Sequence, residues 1–155
     1  MSVTASDIAI YLGIGLVAVG IFVALRNVAG KMGKADPEAV KAGFSTLPGF
    51  SPGETLIHLA SAISYDPVRN HVAIWEKSGG ARLVDPSGVA AWHSGANPVP
   101  ATDDTTGIVE LYARPGDRRP FFKVGVINAM DAPRWRDRLQ AAFGADKERP
   151  AAQGA

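Results

Sequence analysis

The sequence predicts an α+β chain. One N-terminal transmembrane helix precedes a single soluble domain, a curved antiparallel sheet or partial barrel closed by a C-terminal amphipathic helix. Three observations predict it. Residues Ile8 to Leu25 run for 18 positions without a charge. Short apolar runs separated by Pro, Gly and Asp turns recur from Ala62 to Ile127. Trp135, Leu139 and Phe143 recur at intervals of four, the spacing of one helical face. The expected boundaries are a short extracytoplasmic head at 1–7, the transmembrane helix at 8–27, a linker at 28–53, the soluble domain at 54–144 and a disordered tail at 145–155.

The uncharged run is roughly 27 Å long as a helix, close to the thickness of a hydrocarbon core. A cleaved signal peptide begins with positive charge, whereas Asp7 precedes this run and no Lys or Arg does. Arg26, Lys31 and Lys34 follow it. Basic flanks stay in the cytoplasm, so the expected orientation is N-terminus out and domain in. The Ala- and Gly-rich composition is of a bacterial kind, which makes the expected location a bacterial inner membrane. Ala9, Gly13, Gly20 and Ala24 fall on one face of the span and would let a partner helix or a second copy approach closely. Small residues are also common in membrane helices, whatever their packing.

Removing span and tails from the 155 residues leaves about 100, one small domain. Formal net charge is +1 and cysteine is absent. Disulfides, thiolate metal sites and thiol nucleophiles are thereby excluded. Charge is uneven. Residues 35–106 carry four basic against eight acidic residues, and residues 107–155 carry nine against six. The basic part lies at the C-terminal end, without the overall excess that nucleic-acid binding calls for.

Within the linker, Asp36-Pro37-Glu38 reads as a helix start, with Pro in the first turn and acids at the positive end of the dipole. Leu47-Pro48-Gly49-Phe50 breaks that helix. Ser51-Pro52-Gly53-Glu54 has the spacing of a capping box and reads as the start of a short helix through Leu56, Ile57 and Ala60. Six strands follow, at Ala62–Tyr65, His71–Lys77, Ala81–Val84, Val89–His93, Ile108–Ala113 and Pro120–Ile127. Residues 95–107 read as a loop. In the last helix Arg134, Arg136, Asp137 and Arg138 cover the polar side, Asn128 or Asp131 is the expected cap, and Gly144 the stop.

Three segments carry a family resemblance: Ala62-Ile63-Ser64-Tyr65-Asp66 as a strand running into an I-x-x-D turn, Val72-Ala73-Ile74-Trp75 as the next strand, and Ala132 through Trp135 to Leu139 as an A-x-x-W-x-x-x-L helix. Over residues 50–144 this order resembles the pleckstrin-homology-like (PH-like) fold, and more narrowly the small uncharacterised bacterial PH-like families. The resemblance implies a bent barrel capped by the C-terminal helix, with Trp135 packed into its mouth. It implies no reaction.

No catalytic constellation stands out. His58, His71 and His93 lack metal-ligand neighbours at three or four residues, so no metal site is expected. Asp103-Asp104 lies beside two threonines in a loop and reads as a solvated turn. No nucleotide loop or nucleophile elbow is present in the soluble part, and no cofactor is implied. Arg114, Arg118, Arg119 and Lys123 cluster around one turn and are the candidate contacts for anionic lipid headgroups, set against ordinary solubility charge. The expected role is a membrane-anchored, non-enzymatic interaction module, an accessory or scaffold subunit that binds a protein partner or a second copy of itself. The alternative is an anionic-lipid-binding module. A third reading is an enzyme with a dispersed site around His71, His93 and Asp103. Nucleic acid is not an expected partner.

Overall fold

The structure, a computed structural model, describes residues 33–96 and 105–150. Seven strands form two antiparallel sheets in plain meander order. The first sheet holds β1 (Glu54–His58), β2 (Ser61–Asp66), β3 (His71–Glu76) and β4 (Gly80–Leu83). The second holds β5 (Ala91–Ala96), β6 (Gly107–Tyr112) and β7 (Phe122–Val126). Helix α1 (Pro37–Ser45) precedes the strands and helix α2 (Asp131–Phe143) follows them.

β2 and β3 are buried on both faces, so each face has its own cover. Ile63, Tyr65, Val72 and Ile74 point into the main core, between the sheets and α2. Ala62, Ala73 and Trp75 point the other way and are covered by Val40 and Phe44 of α1. The small residues let the helix sit close: a Cβ on Gly43 would lie 3.0 Å from the Trp75 ring. α1 starts as its sequence suggests, with Asp36 accepting from the Glu38 N–H and Pro37 in the first turn.

The β2–β3 turn is organised by one carboxylate. Asp66 is fully buried and accepts from the Val68 N–H at 2.9 Å, the Arg69 N–H at 3.2 Å and, across the chain, the Ser51 N–H at 3.0 Å. Asn70 closes the turn at φ 54, a left-handed conformation that Asn tolerates better than most residues. Ser51 therefore opens no helix. Its N–H is committed to Asp66, and the chain enters β1 at Glu54.

The three-stranded sheet buries Trp92, Val109, Leu111, Phe122, Val124 and Val126 against α2, which contributes Ala132, Trp135, Leu139 and Phe143. Asn128 Oδ1 accepts from the Met130 N–H before α2, and Gly144 ends it at φ 94. Residues 145–150 do not form a loose tail. The Trp92 indole donates to Gly144 O at 2.9 Å, and the Arg149 N–H donates to Trp92 O at 2.9 Å. Glu148 bridges in parallel to Trp92 and pairs with Arg136 at 2.7 Å. This strap covers the outer edge of β5, which would otherwise offer unpaired backbone groups.

Two expectations are corrected. The single curved sheet or partial barrel of six strands is not what forms: there are two separate sheets, of four and three strands, and they do not close. β1 is the strand read as a helix. The break falls between β4 and β5, where Asp85 accepts from the Ser87 N–H and Pro86 brings no donor to a ladder. β1 runs beside β7, but the two belong to different sheets and their ladder partners are β2 and β6. The second correction concerns the membrane. Among the described residues no helix is long and apolar enough to cross one. α2, the longest, has 13 residues and would span about 20 Å of a core about 30 Å thick, with charged residues on one side. The expected span at Ile8–Leu25, with Ala9, Gly13, Gly20 and Ala24, lies outside the described residues. The single-pass, inner-membrane assignment has no support in the structure.

Two outcomes follow from this packing. Trp135→Ala removes a side chain that is 1 % exposed at the centre of the core, and should lower unfolding free energy by about 3–5 kcal/mol in urea titrations. Asp66 is held below the ordinary carboxylate range by the Ser51 N–H first, then by the Val68 and Arg69 N–H groups and the Arg69 charge, with burial opposing. A depressed folded-state pKa stabilises above the unfolded value and is lost as pH falls through the folded one. Asp66→Asn should therefore melt earlier than wild type at pH 7, and the gap should narrow in melts taken as pH falls below the ordinary aspartate value of about 3.9.

Candidate functional site

The concavities among the described residues include two of ligand size. The first is a groove of about 350 Å³ between α1 and β1. It arises because α1 lies over β3 and β4, leaving the flank toward β1 open. Val40, Phe44 and Ile57 wall it, and Pro52 and Gly53 close one end. Glu38, Lys41 and Ser45, all exposed, stand on its rim. β1 is an edge strand, and the groove follows its flank.

The second is a pocket of about 270 Å³ where the β1–β2 turn meets β7. His58, Ser61, Thr105 and Lys123 bring polar groups to it, over a floor of Ile108 and Gly125. Glycine is required here by space. A Cβ at position 125 would sit 2.5 Å from His58 Nδ1 and 2.6 Å from Thr105 Cγ2. Leu59, in the turn, holds φ 50 and is 46 % exposed, an uncommon conformation for an aliphatic residue.

Beside this pocket a polar row crosses the outer face of the three-stranded sheet. His93, Glu110 and Lys123 are direct cross-strand neighbours. Glu110, 5 % exposed, accepts from the Tyr112 hydroxyl at 2.6 Å and faces Lys123 Nζ at 3.8 Å. Burial, then the Glu110 carboxylate, pushes the Tyr112 phenol up to about 12. The Arg149 guanidinium stacks 3.8 Å from the Tyr112 ring centroid and donates to Asp117 O at 2.9 Å. His93 Nδ1 donates to Arg149 O at 2.9 Å, while its buried Nε2 meets no hydrogen-bond partner among the described residues. The row thus ties the strap to the sheet.

The residues singled out in the sequence scatter. Arg114, Arg118 and Arg119 all lie on the β6–β7 connection and are exposed. Lys123 leaves them: it sits within β7, facing Glu110 and the pocket. His71 opens β3 in one sheet and His93 lies in the other, while Asp103 is outside the described residues. Among the described residues no group of three or more His, Asp or Glu side chains could hold a metal ion. Glu110, Tyr112 and Arg149 were not legible as a group. The one sign was a lone Glu inside the apolar run Ile108–Tyr112, which in a strand buried on both faces calls for a partner.

Comparison with known proteins returns no matching family model, no matching curated protein and no matching solved structure. The PH-like resemblance thus rests on the sequence motifs alone. The polar row makes one spectroscopic prediction. A raised phenol pKa favours the protonated form in the fold, so this stabilisation is complete below the unfolded value near 10 and is lost as pH rises through about 12. In an ultraviolet titration one of the three tyrosines should ionise late, near 12, and Tyr112→Phe should remove that step.

Proposed function

We propose that the chain is a non-enzymatic protein-interaction module whose docking site is the groove between α1 and β1. The observation that carries this reading is the groove itself. It is concave and of ligand size, and its lining includes Val40, Phe44 and the half-buried Ile57, with no cluster of groups that do chemistry among the described lining residues. Grooves of this kind take an extended or helical apolar segment, with the charged rim setting register. Glu38 and Lys41 on the rim supply one charge of each sign, suited to a segment that carries a matching pair beside its apolar anchor. The partner is a protein segment of that chemistry, from another chain or from a second copy.

A photocrosslinking residue at Ser45, on the groove rim, tests this in the cells that make the protein, with the same residue at Val68 as control. Val68 is 79 % exposed and does not line the groove. The expected result is one stoichiometric adduct from position 45 that is absent from position 68. It should fall about tenfold or more when Thr55→Trp fills the groove. Equal adducts from both positions, or adducts indifferent to Thr55→Trp, would overturn the reading.

A further inference from the structure

The pocket between the β1–β2 turn and β7 shares no lining residue with the groove, and its chemistry is different. Its polar lining consists of an ammonium group, an imidazole and two hydroxyls, from Lys123, His58, Ser61 and Thr105, and among the described residues no carboxylate lines it. That set disfavours a cation and suits an oxyanion, which accepts hydrogen bonds on every oxygen. A neighbouring carboxylate, Glu110, stands 3.8 Å from Lys123 Nζ, an ion pair too long to be a hydrogen bond. Its other oxygen is taken by the Tyr112 hydroxyl. Glu110 therefore leaves the Lys123 donors unconsumed, while its charge competes for the ammonium. The Lys123 side chain is 52 % exposed, so the charge is reachable from solvent.

Space agrees with chemistry. The volume, about 270 Å³, is at the low end for ligand sites and holds a phosphate with a few attached atoms rather than a nucleotide. It exists because residue 125 has no side chain: a single Cβ would run into both His58 and Thr105. We propose that this pocket binds a phosphomonoester group, with Lys123 as its charge partner and Ser61 as a hydroxyl donor.

Titrating the full chain with glycerol 3-phosphate, at ionic strength matched with sodium chloride, tests the site by amide NMR. The expected result is saturable movement of the Ser61, Lys123 and Gly125 amides. Lys123→Met keeps the aliphatic stem and removes the charge, and should weaken binding about tenfold or more. Glu110→Gln keeps an acceptor for Tyr112 but removes the competing charge, so it should tighten binding. A merely structural role for the pair would weaken binding in both variants. Arg118→Met, on the exposed β6–β7 connection, should change nothing. A second arm presents the same group on vesicles containing phosphatidic acid. Lys123-dependent binding only there assigns the phosphate to a lipid headgroup, and binding in both arms assigns it to soluble phosphomonoesters. No movement of the pocket amides in either arm, or movement unchanged by Lys123→Met, overturns the proposal.

Discussion

The strands Ser61–Asp66 and His71–Glu76 are buried on both faces, and a sheet of that kind cannot leave either face in water. One face is met by the second sheet and α2, the other by α1. Each cover has its own geometry. The main core is wide and is filled by Trp92, Trp135 and branched aliphatic residues. The second is narrow, with Ala62, Ala73 and Gly43 at the contact, so that a nine-residue helix lies almost against the backbone. Burial at roughly 25 cal/mol per Å² favours both layers, and neither sheet face could be exposed without losing it.

The groove is a by-product of that narrow layer. A helix of nine residues is too short to cover four strands, and it settles over β3 and β4, where Trp75 gives it most to bury. β1 is left at the edge with Thr55 exposed and Ile57 half-covered. The phosphomonoester pocket has a related origin on the far edge of β1, where the strand passes β7 without pairing. Two sheets that do not close leave a seam, and seams hold cavities. In this chain the seam is lined by polar groups, whereas the α1 flank is lined by apolar ones.

The strap after α2 solves a separate problem. β5 is an edge strand whose neighbour on one side is β6 and on the other, among the described residues, the backbone of residues 148 and 149. Arg149 secures them through backbone, ring and carbonyl contacts, and Glu148 through Arg136. Charged side chains that look like solubility residues in a polar C-terminal stretch are here the fasteners of a sheet edge. Surface ion pairs alone contribute little, but Arg149 adds cation–π stacking and carbonyl contacts to backbone pairing.

Local signals were enough for local features. Asp36-Pro37 announced α1, the Asp66 to Asn70 stretch announced a tight turn, and the four-residue period of Trp135, Leu139 and Phe143 announced α2, because caps, turns and amphipathic faces are set within a few residues. β1 was misread for the opposite reason. Ser51 and Glu54 have capping-box spacing, yet the Ser51 N–H is claimed by Asp66, fifteen residues on, and only the folded chain brings them together. The division into two sheets, the two-layered burial of β2 and β3, the strap on β5 and the pairing of Lys123 with Glu110, which separates it from the cluster of arginines, are likewise decided by contacts distant in sequence. Sequence patterning sets which residues seek burial; tertiary packing decides which face, which edge and which charge each one finds there.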